Sequence, residues 1–175
     1  MTTTMPRQKP NRSRQDFETP DDLIAAVKWL LKIAEFRVDL AADSTNAKST
    51  AWLGPGVEEG VFGGWGSLAL DSLTADWHFN EWCWLNPPFS NIAPWARKCS
   101  EYATSTYIAF LVPASVGSNW YRDYVEPFAA VRALTGRPSF DGVGPYPKDL
   151  ILALYGPGFL PSFKTWNWKG EIRHA

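Results

Sequence analysis

Residues Glu81–Cys99 read EWCWLNPPFSNIAPWARKC, and this stretch decides both how the chain folds and where its chemistry lies. The apolar run Trp82–Leu85 has the composition of a buried strand. It stops at Asn86, Pro87, Pro88 and Phe89. Helical spacing begins almost at once, with Ser90 or Asn91 near the start and Pro94 tolerable only in the first turn. A strand, a stiff corner and a helix make one unit of a sheet covered by helices.

The corner also has chemical content. Pro87 and Pro88 fix two successive φ angles and donate no backbone hydrogen bond, and Pro87 biases Asn86 toward extended backbone. The Pro87 carbonyl and the Asn86 side-chain oxygen then stand as two acceptors on a rigid frame. Paired acceptors match an NH₂ group, which has two hydrogens to donate. Phe89 adds a flat face for stacking. The implied ligand is an aromatic ring with an exocyclic amine, as in adenine or cytosine. The plainer alternative is a strand-to-helix connection that happens to use prolines.

On the N-terminal side, residues 18–36 (ETPDDLIAAVKWLLKIAEF) predict a helix. Thr19 suits its cap, Pro20 its first turn, and Asp21 and Asp22 oppose the dipole. Leu23, Ile24, Val27, Leu30, Leu31 and Ala34 fall on one face, with Lys28 and Lys32 outside. FRVDLAADS follows as a short buried strand ending near Asp39. Residues 54–66, GPGVEEGVFGGWG, hold six glycines but no phosphate-binding fingerprint, and read as a mobile surface loop. SLALDSL gives a brief strand with Asp71 at its end. On the C-terminal side TYIAFLVPA, AVRALTG and DLILALYG read as strands, and Ser118 as the cap of a helix through NWYRDYVE. Strands alternating with helices predict an α/β sheet covered on both faces. In such sheets ligands lie beyond the carboxyl ends of the strands, where Asp39, Asp71 and Asn86 all fall.

The chain's 175 residues are enough for one domain with a real core. Ten tryptophans, ten phenylalanines and six tyrosines mostly pack a core, with a minority left to stack on a flat ligand. A net charge of −1 gives no global basic field. The charge is uneven, however. Residues 1–15 hold Arg7, Lys9, Arg12 and Arg14 and no acid, which reads as a flexible basic arm, or one that meets a phosphate backbone. Cys83 and Cys99 form no ligand cluster and there are only two histidines, so no metal is expected. No apolar run approaches the ~20 residues of a membrane span, and the N-terminus lacks a signal-peptide core. A cytoplasmic protein is expected.

Six pieces in order, FETPDDL, VDLAADSTNAK, LDSLTADW, WLNPPFSNIAPWARK, LVPA and TGRPSF, resemble the phage DNA N-6-adenine methyltransferase (Dam-like) family over roughly residues 16–155. LNPPF is similar to the Asp/Asn/Ser-Pro-Pro-Tyr/Phe/Trp motif of amino-methyltransferases. The resemblance implies a single compact domain over residues 16–175, with a Rossmann-like S-adenosylmethionine-dependent methyltransferase sheet and helices on both faces. It implies S-adenosylmethionine as cofactor, DNA as partner, and the cytoplasm of a bacterial host as location. Asn86, Pro87, Pro88 and Phe89 would form the catalytic corner. Asp39, Ala41 and Ala42 would meet the methionine part of the cofactor, Thr19 and Pro20 would border the same pocket, and Asp71 would lie near the adenosine. Arg12, Arg14 and Arg137 are the candidate DNA contacts.

Two departures stand out. Phe89 replaces the more frequent tyrosine, and DLAADS lacks the glycines of the wider methyltransferase cofactor loop. Cytosine-N4 or protein-glutamine methylation are alternatives within the same chemistry. A non-catalytic nucleic-acid-binding module, resting on the basic arm, the rings and Arg137, is the alternative outside it.

Overall fold

The computed structural model describes residues 18–55, 66–140, 142 and 144–171. Among these residues the order is α1 (Asp21–Leu31), β1 (Ala51–Leu53), β2 (Gly66–Ala69), β3 (Cys83–Leu85), α2 (Ala93–Glu101), β4 (Ile108–Pro113), α3 (Asn119–Tyr124), β5 (Ala130–Leu134), β6 (Leu150–Tyr155), β7 (Ser162–Trp166) and α4 (Trp168–Glu171). The basic arm and most of the glycine-rich loop lie outside the described residues.

The strands form a pair, β1-β2, and a five-stranded mixed sheet in the order β3-β4-β6-β5-β7. The segment around Asp39 joins the two. It is too short to count as a strand, yet Asp39 bridges in parallel to both Trp52 and Trp84. Its amides and carbonyls alternate sides as a parallel strand requires. Asp39 N–H donates to the Ala51 carbonyl at 2.9 Å and Leu53 N–H to the Asp39 carbonyl at 2.8 Å on one side. On the other, Trp84 N–H donates to Val38 at 2.9 Å and Leu40 N–H to Trp84 at 2.8 Å. The expected strand at FRVDL is thus a seam between β1 and β3. β3 and β4 are parallel, and β6 runs antiparallel between β4 and β5.

Alternation along the buried strands sends side chains to two cores. Ile108, Phe110 and Val112 of β4 face one cluster, which takes in Ala96 and Cys99 of α2 and Tyr121 of α3. Ala109 and Leu111 face the other, with Leu23, Ile24, Ala26 and Val27 of α1 and Trp168 of α4. Helices therefore cover both faces, as the sequence predicts. Each large aliphatic side chain buried this way contributes about 1.5–3 kcal/mol, so the single face of α1 suffices to dock it.

Several local expectations shift. Thr19 does not cap α1; the N-cap position is Pro20, with no side-chain cap bond. The helix stops at Leu31 because Lys32 turns left-handed, at φ 56°, and Ala34 beyond it is exposed. α2 starts from Ile92 rather than Ser90 or Asn91, with Pro94 in its first turn as expected. β2 ends at Ala69, two residues before Asp71. Ser118 does cap α3, its Oγ accepting from Tyr121 N–H at 3.4 Å.

Candidate active site

The chain leaves the seam toward β1 and β2, then returns to the seam's other flank as β3. Where a parallel sheet reverses its order in this way, a crevice opens beyond the carboxyl ends of the two diverging strands. Asp39 is in register with Trp84, so Ala41 and Asn86, each two residues further on, emerge at the same end.

Asn86 follows β3 directly and is half-buried. Its Nδ2 donates to Thr19 Oγ1 at 2.9 Å. That contact reassigns Thr19 from helix cap to partner of the amide. Pro87 behind it is buried and Pro88 exposed. Phe89 is half-buried, with the rings of Tyr146 and Phe140 at right-angled contacts of 5.8 and 6.5 Å. Those two rings lie 5.4 Å apart, in a loop closed by Tyr146 N–H donating to the Pro138 carbonyl at 2.8 Å. The TGRPSF segment thus reaches the corner through Phe140. Arg137 does not; it is exposed and pairs with Asp149 at 2.8 Å. Arg12 and Arg14 lie outside the described residues.

Asp39 is 3% exposed. Its Oδ1 accepts from Ala41 N–H at 3.2 Å and its Oδ2 from Lys48 N–H at 2.9 Å. Burial outweighs these two donors and pushes the carboxyl up to about 6. A buried carboxylate at a strand end, in want of positive charge, suits a cationic ligand. Ala41 is half-buried and Ala42 buried. The Ala42 carbonyl closes against Gly54, where a Cβ would meet its oxygen at 2.0 Å and where φ is 147°. Only glycine tolerates that approach.

Asp71 is exposed, and its carboxylate organises its own turn by accepting from Leu73 N–H at 2.9 Å. Two side chains that the sequence did not single out hold this turn. The Ser72 hydroxyl donates to the Leu40 carbonyl, fastening it to the seam. Lys98 of α2, buried, donates to the Leu73 carbonyl at 2.9 Å and to the Ala75 carbonyl, with its ammonium 5.0 Å from the Trp77 ring. A depression of about 480 Å³ lies between this turn and α2, lined by Leu73, Asn91, Pro94 and Arg97 among others. It includes neither Asn86 nor Asp39.

The structure therefore brings together Thr19 with Asn86, Phe89 with Phe140, and Asp39, Ala41 and Ala42 with the Asp71 turn. Among the described residues no group of three or more His, Cys, Asp or Glu side chains is placed to hold a metal. No helix among them is long and apolar enough to cross a membrane. No curated protein and no solved structure matches the chain. A family model described as DNA N-6-adenine-methyltransferase (Dam) matches residues 7–146, which include Thr19, Asp39, Asp71 and the whole Asn86–Phe89 corner, and the chain belongs to that family.

Proposed function

We propose that this protein transfers a methyl group from S-adenosylmethionine to the exocyclic amine of adenine in DNA. The observation that carries the reading is the Asn86 amide, set at the sheet's point of reversal with its nitrogen already bonded to Thr19. The parallel run through β2, β1, the seam, β3 and β4, with helices on both faces, supports a Rossmann-like methyltransferase sheet.

The residues present fit the cofactor. Asp39 would take its ammonium end, beside Ala41 and Ala42, and Asp71 would lie toward the adenosine. When bound, S-adenosylmethionine supplies an electrophilic methyl on a positively charged sulfur. Every other part of the work falls to the chain.

Adenine's amine is a weak nucleophile because its lone pair is delocalised into the ring. Asn86 Oδ1 and the Pro87 carbonyl accept its two hydrogens, favour a pyramidal nitrogen, and stabilise the positive charge that develops there during attack. Much of the remaining gain is positioning. No strong base is needed, because the methylated nitrogen is acidic and gives up its surplus proton to water, which agrees with an asparagine at this position. Within a duplex the amine is out of reach, so the base leaves the stack and rests against Phe89, whose ring is braced edge-on by Tyr146 and Phe140.

The test is to incubate the protein with unmodified DNA and labelled cofactor, digest, and separate the nucleosides. Label in N6-methyladenine supports the reading. Label in N4-methylcytosine, or in protein, moves the substrate, and no transfer together with no cofactor binding contradicts it.

A further inference from the structure

The sequence gives Lys48 no role, and no step above uses it. Its position is unusual. The Lys48 main-chain N–H donates to Asp39 Oδ2 at 2.9 Å. Its ammonium reaches the opposite way, to Glu18 Oε1 at 2.7 Å and Asp21 Oδ1 at 2.9 Å. These acids bracket Thr19 and Pro20, and Thr19 carries the oxygen that holds Asn86.

An ion pair between surface side chains contributes little to stability. Lys48 differs in that its side chain is only 9% exposed, while Glu18 and Asp21 lie open. Burial works against the ammonium, yet the two carboxylates outweigh it, so its pKa lies above the ordinary lysine value. The turn leading to it is well fixed. Asp43 Oδ1 accepts from Thr45 N–H at 2.7 Å, and Asn46 Oδ1 from Asp43 N–H at 2.9 Å. The start of α1, by contrast, has no side-chain cap to orient it. The lysine is the firm member and the Glu18–Asp21 segment is what it secures.

We propose that Lys48 is a positioning residue that straps the Thr19–Pro20 segment onto the Asp39 strand end, and thereby sets the orientation of the Asn86 amide. The proposal rests on the methyl-transfer reading for its consequence in catalysis, but not for its geometry. Hydrogen bonds and ion pairs run from Asp39 through Lys48 to Glu18 and Asp21, the main chain joins these to Thr19, and Thr19 meets Asn86.

The test compares Lys48→Met and Lys48→Arg in the full chain. The main-chain contact to Asp39 survives both, so both variants still bind cofactor. Lys48→Met lowers kcat by about tenfold or more, the scale of a misplaced reacting group, and Lys48→Arg restores it. A second readout needs no activity. In a proton–nitrogen correlation spectrum the Asn86 side-chain NH₂ pair, identified by its loss in Asn86→Ser, shifts or broadens in Lys48→Met and returns in Lys48→Arg. If the wild type transfers no methyl group, the methyl-transfer reading fails and this amide signal alone decides the strap. An unmoved amide pair in Lys48→Met overturns the proposal. So does a loss that Lys48→Arg shares, which would mark Lys48 as merely structural.

Discussion

The Asn86 side-chain amide and the Thr19 hydroxyl meet at 2.9 Å across 67 residues of sequence, nitrogen donating to oxygen. With the nitrogen donating to Thr19, the amide oxygen is the end that the proposed reaction would use. Thr19→Val keeps the shape and removes the acceptor, so the amide loses its bond to this segment. Methyl transfer is expected to fall on the order of 100-fold in kcat, with a smaller change in cofactor affinity because Thr19 would border the same pocket. Single-turnover kinetics beside calorimetry separates the two effects, and an unchanged kcat would remove Thr19 from the mechanism.

Asp39 predicts a pH dependence. Burial lifts its pKa from the ordinary carboxyl value of 3.8 to about 6. Its contribution to stability is therefore fully present below about 3.8 and is lost as pH rises through about 6. A cationic cofactor reverses the preference by favouring the carboxylate. Cofactor affinity should rise with pH up to about 6 and then level, with a proton released on binding below that pH. Calorimetry in buffers of different ionisation enthalpy reads that proton directly. Asp39→Asn should bind more weakly and release none; an equal release by the variant would assign the proton elsewhere.

At Gly54, alanine would press a methyl group onto the Ala42 carbonyl. Gly54→Ala is expected to lose roughly 1–3 kcal/mol of stability and to weaken cofactor binding as the Ala41–Ala42 segment moves. Gly117→Ala, where a Cβ meets nothing within 4 Å, serves as the control. Denaturant unfolding of the two variants should separate them clearly, and equal midpoints would count against the close approach.

Lys98 carries a buried contact to the Asp71 turn. Burial lowers its pKa against the pull of Asp76, Glu101 and Asp71, so it is held charged at some cost. Lys98→Met retains the stem and strands the Leu73 and Ala75 carbonyls. A loss of about 2 kcal/mol is expected, together with weaker cofactor binding as Asp71 loosens. Thermal melts with and without cofactor distinguish this from a simple surface change, which would leave both curves in place.

The main elements were legible because their patterns are local. The Leu23–Val27 face of α1, the unbroken apolar runs of β4 and β6, and the stop at Asn86 each follow from adjacent residues. β1 escaped notice because Ala51–Leu53 is three residues long and acquires strand character only against the seam. β7 escaped because an edge strand with four exposed positions carries no apolar alternation. At the site, the Asn86 corner stands out by its own chemistry and Asp39 by its place at a strand end, whereas TGRPSF is singled out by the family resemblance alone. Thr19 was misread because Thr-Pro-Asp-Asp is also a good helix start. Lys48 and Lys98 were missed because their partners lie 23 to 30 residues away, beyond any periodicity.

One measurement bears most directly on the amide at the strand end. Wild type and Asn86→Ala are each incubated with unmodified DNA and labelled S-adenosylmethionine, and the digested nucleosides are separated while cofactor affinity is measured in parallel. The wild type should place label in N6-methyladenine, and the variant should bind cofactor yet place none. Equal labelling by the variant, or no labelled adenine from the wild type, would contradict the account.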